Sequence, residues 1–86
     1  MVTHASVRRA LARAIHQQRI LAGMTQRQLG THSRVSAASV SRLERGKADI
    51  SVEAFVRIAH ALNVDPVKLL RRVARDIAGR RKRHPV

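Results

Sequence analysis

Apolar residues recur along this chain at the three- and four-residue intervals that are typical of amphipathic helices. We expect the first helix to run from Ser6 to about Ala22, because an apolar face extends along this segment and Gly23 follows it. The residues of that face are Val7, Leu11, Ile15 and Ala22. No segment shows the sustained alternation of a β-strand, and proline occurs only at positions 66 and 85. The pattern therefore predicts an all-α fold.

Two short helices are predicted in the middle of the chain, over about 26–32 and 37–45. Thr25 is a suitable N-cap for the first, and Gln28 three residues later completes a capping box. Leu29 is the apolar anchor of this helix, and Gly30 beside it would allow another helix to approach closely. Ser36 caps the second helix, which buries only Val40 and Leu43 on an otherwise polar, serine-rich surface. A helix this polar is expected to present its outer face to a partner.

Two further helices complete the predicted domain. Ser51 caps the fourth helix and Glu53 lies in its first turn, where the helix dipole favours an anion. The predicted inward face of this helix comprises Val52, Phe55, Ile58, Ala59 and Leu62. Asp65 and Pro66 are an N-cap and first-turn pair for a fifth helix, which Gly79 is expected to end. We therefore predict a flexible N-terminus over 1–5, one domain over 6–78 and a disordered basic tail over 79–86.

The charge of the chain points to a polyanionic partner. The 86 residues contain 18 Lys and Arg and 5 Asp and Glu, a formal net charge of +13, and residues 1–43 contain no acid. A surface this cationic repels itself unless it meets a polyanion such as DNA or RNA. The single aromatic residue, Phe55, excludes a base-stacking platform for single-stranded nucleic acid. No apolar run is long enough to cross a membrane, and the chain is expected to be cytoplasmic and associated with the nucleoid.

Nothing in the sequence indicates catalysis or a cofactor. The five histidines lie at 4, 16, 32, 60 and 84, so none forms the i, i+3 or i, i+4 pair of a helical metal site. There is no cysteine, and no Ser-His-acid or paired-carboxylate grouping is evident. We expect neither an enzyme nor a metal site.

The segments MTQRQLG, VSAASVSRLERGK and ISVEAFVRIAHALNVDPVKLL resemble the phage-repressor-like, or Xre-type, helix-turn-helix family. The resemblance covers about Val7 to Leu70 and implies a five-helix lambda-repressor-like domain with an extended fifth helix. The chain is also similar to the controller proteins of restriction–modification systems. The helix-turn-helix proper is then 25–45. Two positions depart from the family: Arg34 stands where glycine is usual in the turn, and Ser33 replaces the apolar residue before it. Gln18 also occupies a position that is commonly apolar.

The resemblance implies that helix 37–45 enters the major groove of double-stranded DNA. Its outward residues would contact bases: Ala37, Ala38, Ser39 and Arg42. Arg42 could grip guanine, although a phosphate contact is the alternative, and the two alanines could either meet thymine methyls or simply permit close approach. Phosphate contacts would come from Gln26, Arg27, Ser36, Ser41, Arg45 and Lys47. Gln26 could also be a solvated polar residue, and Ser36 could be occupied in capping its own helix.

Glu44 is expected to have a structural role, because it is the only acid among the first 48 residues and would repel DNA. In the family this glutamate pairs with an arginine late in helix 1, and the matching position here is Arg19. The resemblance thus predicts an ion pair that ties helix 1 to helix 3.

The fifth helix carries an apolar face that a single domain would not fully bury, and four of its residues are predicted to mediate dimerisation: Leu69, Leu70, Val73 and Ile77. The alternative is a face that folds back onto helix 1. Arg80 to Arg83 would extend the phosphate contacts or act as a non-specific electrostatic tether.

The sequence as a whole predicts a dimeric, sequence-specific transcriptional regulator that binds a palindromic operator. It would repress where the operator overlaps a promoter and activate from just upstream of one. Two alternatives remain open: an antitoxin that also binds a partner protein, and a non-specific nucleic-acid-binding protein.

Overall fold

The computed structural model describes residues 2–82, with side chains through Gly79, and this part of the chain folds into five α-helices. The helices are α1 (His4–Leu21), α2 (Gln26–Ser33), α3 (Ala37–Glu44), α4 (Val52–Ala61) and α5 (Pro66–Lys82). The predicted all-α, five-helix fold is confirmed. The end of the predicted basic tail, residues 83–86, lies outside the described residues.

The predicted capping residues set the starts of four helices. The Thr25 side chain accepts the Gln28 N–H at 3.0 Å, and the Gln28 side chain accepts the Thr25 N–H at 2.9 Å, so the capping box is complete. Ser36 and Ser51 accept the N–H of the third residue of α3 and α4. The Asp65 carboxylate accepts the N–H of Val67 at the start of α5. Side-chain oxygens thus satisfy amides that the helices leave unpaired.

Two predicted helix ends are wrong. α1 begins at His4, because Thr3 is its N-cap and Ser6 closes a reciprocal capping box from inside the helix. Residues 4 and 5 therefore belong to α1. Gly79 does not end α5, which continues to Lys82. One glycine inside a helix costs only about 1 kcal/mol, which is too little to end a helix by itself. The two central helices differ by one residue each: α2 ends at Ser33 and α3 at Glu44.

The main helix contacts form a ring: α1 packs on α3 and α5, α2 packs on α3 and α4, and α4 packs on α5. The core is formed by small and aliphatic side chains: Ala10, Leu11, Ala14, Ile15, Leu29, Val40, Leu43, Ile58, Ala59, Leu62, Leu69 and Val73. Three residues assigned to inward faces are exposed instead, Val7, Ala22 and Val52. Each lies in the first turn or at the end of its helix, so the 3.6-residue period continues past the point where a neighbouring helix covers it.

The apolar face of α5 divides between the core and the surface. Leu69 is fully buried, Val73 is nearly so, and Ile77 packs against the same core cluster. The prediction that Leu69 and Val73 meet a second protomer is therefore wrong, because both are covered within their own protomer. Leu70 lies outside the core and is 57% exposed, and Val67, one helical turn earlier, is 58% exposed. The alternative of a face that folds back on the protomer thus accounts for most of this helix.

Gln18 occupies a core position on α1, as the departure from the family pattern implies. Its side chain is buried, and its Nε2 has no hydrogen-bond partner in the described part of the chain. An unsatisfied buried amide costs about 1–3 kcal/mol.

A buried ion pair joins α1 to α3, as predicted. The Nε and Nη2 atoms of Arg19 donate to the two carboxylate oxygens of Glu44 at 2.6 and 2.9 Å, and Nη1 donates to the Met24 carbonyl at 2.7 Å. The side chain of Glu44 is only 4% exposed. His16 Nδ1 lies 2.7 Å and Gln26 Nε2 lies 3.3 Å from the same oxygen, Oε1. One carboxylate therefore connects α1, α2 and α3.

These contacts also determine the charge state of the carboxylate. Burial raises the pKa of Glu44, but the hydrogen bonds from Arg19, His16 and Gln26 outweigh it and lower the pKa below its ordinary value of 4.5. Since the folded protein binds the proton less readily than the unfolded chain, the pair stabilises the fold above that pH. Its contribution is lost as the pH falls through the lowered pKa.

We predict that Gln18→Met stabilises the protein. Methionine has a similar shape and no polar atom to satisfy, so the free energy of unfolding should rise by about 1 kcal/mol and the midpoint of thermal unfolding by roughly 4–8 °C. Thermal unfolding followed by circular dichroism measures both. Gln17→Met is the matched control, because Gln17 is exposed on the same helix and its replacement should change the midpoint little. Equal midpoints for the two variants would contradict the prediction.

We predict that Glu44→Gln destabilises the protein by about 3 kcal/mol at pH 7, because it leaves the buried guanidinium of Arg19 without its counter-charge. Urea denaturation measures the change. The difference from wild type should shrink as the pH falls below 4.5, where wild-type Glu44 also becomes protonated. Asp49→Asn is the control, since it breaks an exposed arginine–carboxylate pair and should leave the stability close to that of wild type. A loss no greater than that of the control would show that the Glu44 pair does not hold α3.

Candidate nucleic-acid interface

The turn between α2 and α3 is held rigidly by backbone and side-chain contacts. Arg34, which stands where the family has glycine, adopts a left-handed conformation with φ of 59°, and its N–H and that of Val35 both donate to the Gly30 carbonyl. Gly30 is required at its position because a Cβ there would lie 2.5 Å from the Val35 carbonyl oxygen. The segment that approaches Gly30 closely is thus the backbone leading into α3.

Two polar residues, Ser33 and Arg57, complete the turn, and Ser33 stands where the family pattern has an apolar residue. Ser33 is fully buried and its hydroxyl donates to the Leu29 carbonyl at 2.7 Å, so its polarity is satisfied within α2. Arg57 of α4 donates from Nε to the Ser33 carbonyl at 3.0 Å, which covers an acceptor at the C-terminal end of α2. Arg57 also pairs with Glu53 one turn earlier in α4. α4 therefore fixes the angle at which the turn leaves α2.

α3 presents one side to the core and the other to solvent. Val40 and Leu43 are buried, and Ala38, Arg42 and Arg45 follow one another at helical intervals on the opposite, exposed side. Ala37 is also exposed, and Ser39 and Ser41 are half-buried at the edges. The four residues predicted to contact bases thus lie on or beside one accessible surface.

Some of the predicted contact residues are occupied within the protein. The Ser36 hydroxyl accepts the Ser39 N–H and donates to the Ser39 hydroxyl at 2.8 Å, which leaves the Ser39 proton free to point outward. Gln26 is half-buried and its amide is tethered to Glu44. The second amide proton of Gln26 stays available, so the tether orients this side chain at the start of α2.

The surface around α3 is strongly cationic. Five exposed side chains line it, and none of them forms an ion pair with a residue of the described chain: Arg27, Arg34, Arg42, Arg45 and Lys47. Gly46, with φ of 71°, turns the chain after α3, and the Lys47 N–H donates to the Arg42 carbonyl at 3.0 Å. Lys47 is thereby held at the C-terminal end of α3.

The acids near this surface are neutralised by pairing. Glu44 lies beneath α3, and Asp49 in the following loop accepts two hydrogen bonds from Arg8 of α1, at 2.7 and 2.9 Å. The hydrogen bonds from Arg8 lower the pKa of Asp49, so the carboxylate stays ionised and the pair stays neutral. The surface around α3 therefore keeps excess positive charge, and the two carboxylates beside it are paired, an arrangement suited to phosphate binding.

Arg8, Arg57 and Asp49 are the residues of this region that the sequence analysis missed. Each partner lies far away along the chain, 41 residues for Arg8–Asp49 and 24 for Arg57–Ser33. With 18 basic residues to choose from, no spacing rule predicts these two long-range contacts, although the i, i+4 spacing of Glu53 and Arg57 is visible in the sequence. In the described residues no group of three potential metal ligands occurs, and no helix is long and apolar enough to cross a membrane.

Comparison with known proteins agrees with this geometry. The helix-turn-helix family profile matches residues 15–69. The clp gene regulator ClgR from Corynebacterium glutamicum is 34% identical, with a TM-score of 0.82 over 88% of this chain and 81% of that one. The restriction–modification controller protein C.AhdI from Aeromonas hydrophila shares the fold at 24% identity, with a TM-score of 0.70 over 72% of this chain and 94% of that one.

The controller protein C.Esp1396I has been solved as a tetramer in complex with its natural 35-base-pair operator. It shares the fold at 22% identity, with a TM-score of 0.76 over 84% of this chain and 95% of that one. No curated protein sequence matches the chain. The profile match and the likeness to ClgR together identify the chain as a member of the Xre-like helix-turn-helix family of DNA-binding transcriptional regulators.

Proposed function

We propose that the protein is a sequence-specific transcriptional regulator that inserts α3 into the major groove of double-stranded DNA. The observation that carries the proposal is the outward side of α3, where one long side chain, Arg42, stands between small residues and is flanked by unpaired cations. The alanines let the helix approach the base edges, and a guanidinium that reaches those edges can donate twice to guanine. The operator complex of C.Esp1396I supports this assignment, since that protein has the same fold.

The other cations are proposed to hold the backbone of the duplex. Arg45 and Lys47 at the end of α3 and Arg27 in α2 lie on either side of Arg42 in the chain, and none of them forms an ion pair with a described residue. Gln26, oriented by Glu44, would add a phosphate hydrogen bond at the start of α2. These contacts supply affinity and fix the position of the protein on the duplex, while Arg42 discriminates between base pairs.

We further propose that the regulator is a homodimer on a palindromic operator, with the dimer contact at Val67 and Leu70. These two side chains lie one helical turn apart on α5, and both are more than half exposed. An apolar strip of this kind is costly in water and is removed from it when a second copy packs against it. The proposal includes no enzymatic activity, and whether the dimer represses or activates would follow from where its operator lies.

The DNA proposal is tested by selecting bound duplexes from a random pool at about 0.15 M salt. We expect a palindromic motif, and we expect Arg42→Ala to lose preference at one guanine position in each half-site, with a cost of about 1–3 kcal/mol there. Lys47→Ala is the matched control: it should weaken binding to all sequences alike and reduce the salt slope by about 1. If tight, salt-sensitive binding shows no motif, the protein is a non-specific nucleic-acid-binding protein.

The dimer proposal is tested by analytical ultracentrifugation of Leu70→Lys. A buried lysine without a partner is unfavourable, so this variant should sediment as a monomer while keeping its helical circular dichroism. Leu21→Lys is the matched control, because Leu21 is 77% exposed at the end of α1 and its replacement should leave the dimer intact. A dimer that survives Leu70→Lys would place the interface elsewhere. A different small protein bound at this strip in a cell extract would instead favour the antitoxin alternative.

A further inference from the structure

A second basic surface lies in the groove between α1 and α5. Its walls carry five cations and one carboxylate: Arg13, Lys68, Arg71, Arg72, Arg75 and Asp76. Arg13 donates to Asp76 at 2.7 Å across the groove. The four basic residues of α5 are exposed, and none of them forms an ion pair with a described residue. The groove therefore keeps a strong positive charge that the fold does not neutralise.

This groove faces away from α3. The α1 residues that contact α3 and the loop after it are Arg8, His16 and Arg19, whereas those that line the groove are Ala10, Arg13, Ala14 and Gln17. At 3.6 residues per turn the two sets are centred about 160° apart around the helix. A duplex bound at α3 is thus separated from the groove by the whole width of α1.

The charges of α5 match the spacing of a phosphate backbone. Lys68, Arg71, Arg72 and Arg75 follow an i, i+3, i+4, i+7 pattern, which forms a single stripe along the helix. The stripe extends over about 10 Å at 1.5 Å per residue. Along the duplex axis, one strand of B-DNA carries one phosphate per ~3.4 Å, so a stripe aligned with that axis spans about three. Four cations, three of them arginines able to donate twice to a phosphate, therefore face about three charges.

The floor of the groove allows a strand to approach. Ala10 and Ala14 lie at the bottom of the groove, and both are buried within the core. Small residues there leave the long basic side chains standing on either side, with Gln17 as an additional hydrogen-bond donor at the edge. Leu70 does not line the groove, so a dimer formed through Leu70 would leave the stripe accessible.

We propose that the groove between α1 and α5 binds the phosphate backbone of a second DNA duplex, so that the protein bridges two DNA segments. This inference rests on the proposed function, because the first duplex is the one held by α3. An arginine-rich stripe that recognises phosphates reads no sequence, so any duplex can be the second partner.

The test is a two-duplex capture experiment. One duplex is fixed to beads and saturated with protein, and retention of a second, fluorescently labelled duplex is measured at about 0.15 M salt. The variant replaces all four α5 residues by glutamine: Lys68→Gln, Arg71→Gln, Arg72→Gln and Arg75→Gln. We expect it to retain at least tenfold less of the second duplex. Its affinity for the first duplex and the salt slope of that binding should stay within twofold of wild type.

Two control variants separate the alternatives. Arg71→Lys, Arg72→Lys and Arg75→Lys together keep the charge of the stripe and should keep most of the bridging, which excludes damage to the fold. Arg42→Gln, Arg45→Gln and Lys47→Gln together should lose the first duplex, and that loss concerns the proposed function alone.

Three results would overturn the inference. Bridging that survives the glutamine variant would mean that the two α3 helices of a dimer hold separate duplexes. A salt slope for binding of the first duplex that is smaller for the glutamine variant than for wild type would place the stripe on the same DNA as α3. Failure of wild-type protein to bridge, together with saturable binding of a polyglutamate peptide that the glutamine variant loses, would assign the groove to an acidic protein segment.

Discussion

The buried pair of Arg19 and Glu44 is the constraint on which the cationic surface around α3 depends. A carboxylate within this cationic region would repel phosphates if it reached the surface. Here it lies beneath α3, and the hydrogen bonds it accepts come from side chains of α1 and α2. The same bonds that neutralise the charge therefore also fix the position of α3 relative to both preceding helices. Burial of one acid both holds α3 in place and keeps its outer face cationic.

α1 divides the positive charge of the molecule between two faces. One side of α1 carries the partners of Glu44 and Asp49, and its other side carries Arg13 and the wall of the groove along α5. Every described acid except Asp65 pairs with an arginine, so the excess cations remain on the two exposed surfaces. The width of the helix pair separates the two surfaces by more than about a Debye length of 8–10 Å. A polyanion at one surface therefore screens the repulsion there and leaves the repulsion at the other largely unchanged.

Much of the fold could be predicted from the sequence because it is encoded locally. N-caps and helical periodicity act over three or four residues, and they identified the starts of α2 to α5. The resemblance to a family supplied Arg19–Glu44, which no local rule gives. Periodicity failed near the helix ends, at Val7, Ala22 and Val52, because coverage by neighbouring helices is a property of the assembled fold. It also assigned Leu69 and Val73 to a dimer contact when they close the core.

The long-range pairs of the candidate site could not be predicted for a physical reason. Arg8–Asp49 and Arg13–Asp76 join residues 41 and 63 positions apart, in a chain where 18 basic residues compete for five acids. Coulomb attraction does not distinguish among these cations, and only the packing angles of α1, α3 and α5 bring particular ones together. The basic stripe of α5 is visible in the sequence, but the side of the fold on which it lies depends on those same angles.

The composition of α3 makes a second copy of the protein important for specificity. A single bidentate arginine discriminates by about 1–3 kcal/mol, whereas specific regulators bind their sites about 4–10 kcal/mol more tightly than other DNA. With alanines at 37 and 38, one α3 helix has few other groups with which to close that gap. Two half-sites double the base-specific part of the binding free energy, while phosphate contacts raise the affinity for every sequence equally. A protein with this much positive charge and so few base-reading side chains would therefore depend on the proposed dimer contact for selectivity.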